Sequence, residues 1–118
     1  MVACGGKELP EGFEKESVIK NAEETVLLLS ERKYAEVAER FAPVMEEFDA
    51  SSLAVSIDNK LLELGKFESF SSEKVTGGSS EKAGDFATAI LVCIYENGKA
   101  KYTISFDKDE QICGLYMK

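Results

Sequence analysis

The chain has 118 residues, 44% hydrophobic and 31% charged, which suits one globular domain and leaves no room for two. Lys and Arg number 14 against 22 Asp and Glu, and the resulting net charge of −8 excludes nucleic acid as an expected partner. Histidine is absent, so an imidazole base, a Ser-His-Asp triad and a His-ligated metal are excluded as well.

Residues 1–12 read as a flexible tether, because Cys4 to Gly12 is polar and carries three Gly and one Pro. Within it, Val2-Ala3-Cys4-Gly5-Gly6 has the form of the end of a bacterial lipobox, in which a small residue precedes a cysteine that receives lipid. A full secretory signal needs about 15–30 residues with a basic start and an apolar run. Here Met1 stands where that signal would be. The expectation is a lipidated Cys4 that anchors an extracytoplasmic domain to a bacterial cell membrane; a secreted or cytoplasmic protein is the alternative. An odd total of three cysteines fits one lipidated residue plus two others, Cys93 and Cys113.

Residues 13–118 read as a single domain. Val18, Ala22, Val26 and Leu29 predict a helix over about 13–31, since apolar residues at this spacing fall on one face. Tyr34, Val37, Ala38 and Phe41 predict a second, short helix before Pro43. Ser51 or Ser52 is positioned to cap a third, with Leu53, Ile57, Leu61 and Leu64 as its stripe and Gly65 as its stop. Residues 66–75 then read as a polar edge strand and 76–85 as a loop rich in Gly and Ser. Phe86 to Glu96 is apolar on both faces, as a central strand is. Asn97-Gly98 predicts a tight type I′ hairpin turn into Lys99–Asp107, and Ile112 to Met117 forms the last strand.

A turn at Asn97-Gly98 pairs Tyr95 with Ala100, Cys93 with Tyr102, Leu91 with Ile104 and Ala89 with Phe106, all on one face. Ile90, Val92 and Ile94 lie on the other. A three-residue loop before Ile112 adds Cys113, Leu115 and Met117 to that outer face; a four-residue loop turns Leu115 and Met117 inward. In either register Cys93 and Cys113 are poorly placed for a disulfide.

Three helices followed by a curved, antiparallel four-stranded sheet is an α+β order. The series Tyr34-Ala35-Glu36-Val37 to Phe41, Leu64-Gly65-Lys66-Phe67 and Phe106-Asp107-Lys108-Asp109-Glu110-Gln111-Ile112-Cys113-Gly114-Leu115 resembles the bacterial domain-of-unknown-function family 3887. The resemblance covers about residues 14–118 and implies the cone-like fold of the nuclear transport factor 2-like (cystatin-like) superfamily. It also implies a surface or lipid-anchored protein, in agreement with Cys4. Glu110-Gln111 stands where that family commonly has Gly.

Some relatives in that superfamily are isomerases and dehydratases that bury an Asp, His or Tyr inside the cone. The inward list here holds no carboxylate, and nothing in the sequence aims Asp85 or Glu73 at a substrate. No catalytic residue, cofactor or metal site is expected; Asp107 to Gln111 lacks the glycine and the length of an EF-hand loop. The expected function is a non-catalytic, extracytoplasmic accessory or binding module. A small-ligand carrier using the cone is the alternative, and a cone-type isomerase, dehydratase or cyclase a more distant one. The candidate pocket residues are Tyr34, Leu91, Cys93, Tyr95, Tyr102, Ile104 and Phe106. The candidate interface is Ile90, Val92, Ile94, Leu115 and Met117, for a homodimer or another cell-envelope protein. The membrane is expected as a partner only through lipid on Cys4.

Overall fold

The computed structural model describes Leu9 and residues 12–45, 49–81 and 84–118. Cys4 and its lipobox pattern lie outside the described residues. Leu9, read as tether, packs against the core together with Phe13. The elements are α1 (Lys15–Ser30), α2 (Tyr34–Ala38), a 3-10 turn (Pro43–Met45), α3 (Ala50–Leu64), β1 (Phe67–Ser80), β2 (Gly84–Tyr95), β3 (Gly98–Phe106) and β4 (Ile112–Met117). The strands form one antiparallel sheet in the order β1-β2-β3-β4.

α1 buries Val18, Ala22, Thr25, Val26 and Leu29. The Thr25 hydroxyl donates to the Asn21 carbonyl at 2.8 Å, which satisfies a polar group that burial would otherwise penalise. α3 starts earlier than its serines suggest. Asp49 is the cap, its carboxylate accepting the Ser52 amide at 2.9 Å, and that bond holds its carboxyl below the usual range. At the other end Gly65 takes φ 80°, and a Cβ there would meet the Glu96 side chain.

Three expectations about the sheet are corrected. First, residues 76–80 and 84–85 are not loop but the ends of β1 and β2, with Gly77 opposite Ala87 and Gly78 opposite Phe86. The Phe86 ring lies over Gly78, where a Cβ would clash with it. The glycine admits a ring from the neighbouring strand, which composition alone reads as flexibility.

Second, the β2–β3 hairpin turns one residue early. Tyr95 pairs with Gly98, Cys93 with Ala100, Leu91 with Tyr102, Ala89 with Ile104 and Ala87 with Phe106. The Glu96 amide donates to the Lys66 carbonyl and the Asn97 amide to the Leu64 carbonyl, both at 2.8 Å. These bonds clamp the turn to the end of α3 and override the local preference of Asn97-Gly98, neither of which takes positive φ. The shift in pairing is two residues, so every side chain keeps its face. Ala87, Ala89, Leu91, Cys93, Tyr95, Ala100, Tyr102, Ile104 and Phe106 are all buried.

Third, β4 carries a bulge. Phe106 pairs with Ile112 but Ser105 with Gly114, so Cys113 is the extra residue. Neither loop length foreseen is correct by itself: Ile112 faces inward, and so do Leu115 and Met117, paired with Ile104 and Tyr102. The bulge follows from the preceding turn. The Asp107 carboxylate accepts the amides of Asp109 and Gln111 at 2.9 and 3.0 Å, and Glu110 takes φ 62°, a conformation that glycine adopts more readily. Arg40 and Ala42 then bond to the Ile112 backbone at 2.7 Å and pin the start of β4 beside the loop after α2.

Candidate functional site

The helices cover the sheet unequally. α1 lies against β1, β2 and β3, whereas the backbone of α3 stands further off and touches mainly α2. The space left between α3 and the β3–β4 edge is an open groove of about 370 Å³. Its apolar wall is formed by Leu29 of α1, Leu53 and Ile57 of α3, and Leu115 and Met117 of β4. Phe41 and Met45 close one end. Along α3, Ser52, Ser56 and Lys60 follow each other at four-residue intervals and so form a polar rim about 6 Å apart from step to step. At the end away from Phe41, the Lys60 ammonium donates to the Met117 carbonyl at 3.4 Å.

Of the seven pocket candidates, Tyr102 lines this groove. Its hydroxyl is already engaged: Ser30, Tyr95 and Tyr102 form a chain of hydroxyls at 2.7 and 2.6 Å. Burial pushes the Tyr95 and Tyr102 phenols up, so both stay neutral. Leu91, Cys93, Tyr95 and Ile104 are corrected to core, at most 2% exposed, because α1 and the sheet close completely over them. Tyr34 is corrected to a strut between helices. Its hydroxyl donates to Asp58 of α3 at 2.8 Å, beside the Arg32–Asp58 ion pair at 3.1 Å, and burial with that bond raises it to about 12. Phe106 lines a separate cleft of about 220 Å³ with Phe13, Asn21 and Glu110.

Among the interface candidates, Leu115 and Met117 are corrected to the inner face, where they wall the groove. The outer face retains Ile90, Val92 and Ile94, each only half-buried, paired with Lys74, Lys101 and Lys99 respectively. A two-fold contact centred there would bring lysines of both copies together around a reduced apolar patch.

Sequence reasoning missed a carboxyl pair. Two irregularities in β1 place Glu73 opposite Leu91, on the inner face, where it meets Glu23 of α1. The hydrogen bond to Glu73, burial and the neighbouring charge raise the Glu23 carboxyl to about 7. The same two carboxylates, after burial itself, push the Cys93 thiol up to about 12. No signal in the sequence foretells this pair, because β1 changes face only through its irregularities. Neither Glu23 nor Glu73 borders the groove or the smaller cleft. Among the described residues no group of His, Cys, Asp or Glu could hold a metal ion, and no helix is long and apolar enough to cross a membrane.

The family model described as "Protein of unknown function (DUF3887)" matches residues 22–115. The chain belongs to that family. The match runs from within α1 into β4 and takes in the groove residues as far as Leu115, with Tyr116 and Met117 just beyond it. A solved structure described as an NMR structure of a protein from Ruminococcus gnavus is similar to this DUF3887 chain. The two share 28% identity and a TM-score of 0.81, over 94% of this chain and 96% of the other. No curated protein matches.

Proposed function

We propose that this DUF3887 protein is a non-catalytic binding module that takes a small, elongated, largely apolar ligand in the groove between α3 and β4. The observation that carries this reading is the groove itself. Its volume of about 370 Å³ falls within the range of small-molecule sites, and its wall is predominantly aliphatic. The reading is non-catalytic because the groove offers a reaction little. Tyr102 is neutral with its hydroxyl engaged, and burial raises the Cys113 thiol on the groove wall above its ordinary value, away from the reactive thiolate. Extracytoplasmic anchorage through a lipid on Cys4 belongs to the same proposal and rests on the Val2–Gly6 pattern alone. A homodimer, or contact with another envelope protein, through Ile90, Val92 and Ile94 is kept as a secondary surface.

Titration with decanol, followed by amide chemical shifts, tests the groove. Shifts are expected at Leu53, Ile57, Leu115 and Met117, and Leu115→Trp, which fills the groove, is expected to abolish them with the fold intact. Absence of shifts, or shifts confined to the outer face around Val92, would overturn the reading.

A further inference from the structure

The groove carries charge at one end only, and this bears on the class of ligand. Phe41 bridges to Ile112 at the start of β4, so the Phe41–Met45 end is apolar and closed by the loop after α2. Lys60 reaches Met117 at the finish of β4, so the opposite end is marked by an ammonium. From Cys113 to Met117 the strand runs about 13–14 Å, which is the length of the groove wall. The groove volume of about 370 Å³ lies toward the lower end of small-molecule sites.

The charge pattern narrows the class further. The chain carries a net charge of −8, yet Lys60 is the sole charged residue among the described residues that line the groove. Its ammonium has three donors, and the Met117 carbonyl takes one of them at 3.4 Å. Lys60 makes no ion pair with any described residue. On α3 the Ser56 hydroxyl stands one turn before Lys60 on the same rim, placed to donate beside it. An apolar trough with an unpaired cation and a hydroxyl at one end is complementary to a single anionic head on an aliphatic body. The carboxylate or phosphate would take the free ammonium donors, and the body would lie toward Phe41.

We infer that the ligand is a single-chain anionic amphiphile, its head held by Lys60 and Ser56 and its chain lying along Leu53, Ile57, Leu115 and Met117. This inference rests on the groove reading above and assigns a ligand class to it. Calorimetric titration with three probes of equal chain length tests it: decanoate, decanol and decyltrimethylammonium. Decanoate is expected to bind wild-type protein at least about tenfold more tightly than decanol, since a charge-assisted bond is worth more than a neutral one. Lys60→Met is expected to erase that difference, while Lys60→Arg is expected to keep it. Lys60 is exposed, so its replacement does not threaten the fold. Equal affinities for decanoate and decanol would overturn the assignment of the head and leave the groove standing. A preference for the cationic probe would overturn it in favour of attraction by the net negative chain. Failure of all three to bind would remove the groove reading itself.

Discussion

The two halves of the concave sheet face are both lined by apolar residues and end differently. Under α1, Ala22, Val26 and Leu29 meet Ala87, Ala89 and Leu91 and leave each of them 0% exposed. Alanines on both surfaces let helix and sheet approach closely, and the volume is filled. Under α3 the facing residues are larger, Leu53 and Ile57 against Leu115 and Met117, and the chain just after α2 is bonded at Arg40 and Ala42 to the start of β4. Residue size and the anchoring of the chain at Arg40–Ala42 thus decide which half is core and which is groove. Hydrophobicity alone does not distinguish them.

Paired truncations should expose this contrast most strongly. Leu91→Ala removes a fully buried side chain and is expected to cost about 2–5 kcal/mol, read from urea denaturation. Met117→Ala on the groove wall is expected to cost under about 1 kcal/mol. Equal costs would mean that the groove is packed in solution and would break the comparison.

Thiol chemistry sharpens it. In a Cys4→Ser background, Ellman's reagent at pH 8 is expected to label Cys113 on the groove wall first and Cys93 only when the protein unfolds. Cys93 is 0% exposed and its thiol is raised to about 12. Decanol should slow labelling of Cys113 and leave Cys93 unaffected. Simultaneous labelling of both would show that α1 does not seal its half.

The smallest expected effect concerns the margin of the sealed half. Glu23 titrates near 7 in the folded protein, against an ordinary value of 4.5. The folded state therefore binds a proton that the unfolded chain has already lost. Its contribution is fully present below pH about 4.5 and is lost as pH rises through about 7. Glu23→Gln keeps a donor for Glu73 without the charge, so its melting temperature is expected to match wild type at pH 5 and to exceed it by a few degrees at pH 8. A constant difference across that range would exclude the shared proton.

Much of the fold is legible in the sequence. The stripe Val18, Ala22, Val26 and Leu29 marked α1, and Leu53, Ile57 and Leu61 with Gly65 marked α3 and its end. Alternation along β2 and β3 correctly named the inward residues, and the two-residue error in pairing did no harm because faces repeat every second residue. The groove was not legible. Its strand wall depends on a bulge at Cys113, which reverses the face of Leu115 and Met117. The pocket candidates were chosen as inward residues, and inward residues beneath a close-packed helix become core.

Periodicity and charge by themselves determined three helices, an antiparallel sheet and an acidic surface without a histidine, since these follow from local spacing and composition. The tertiary structure alone decided which part of the concave face stays open, that Glu23 meets Glu73, and that Lys60 stands at the end of an apolar trough. Each of these depends on backbone irregularities and on contacts between residues far apart in sequence, such as the bonds of Glu96 and Asn97 to the α3–β1 joint. Local pattern carries no record of such contacts, because their geometry exists only once the distant segments are packed together.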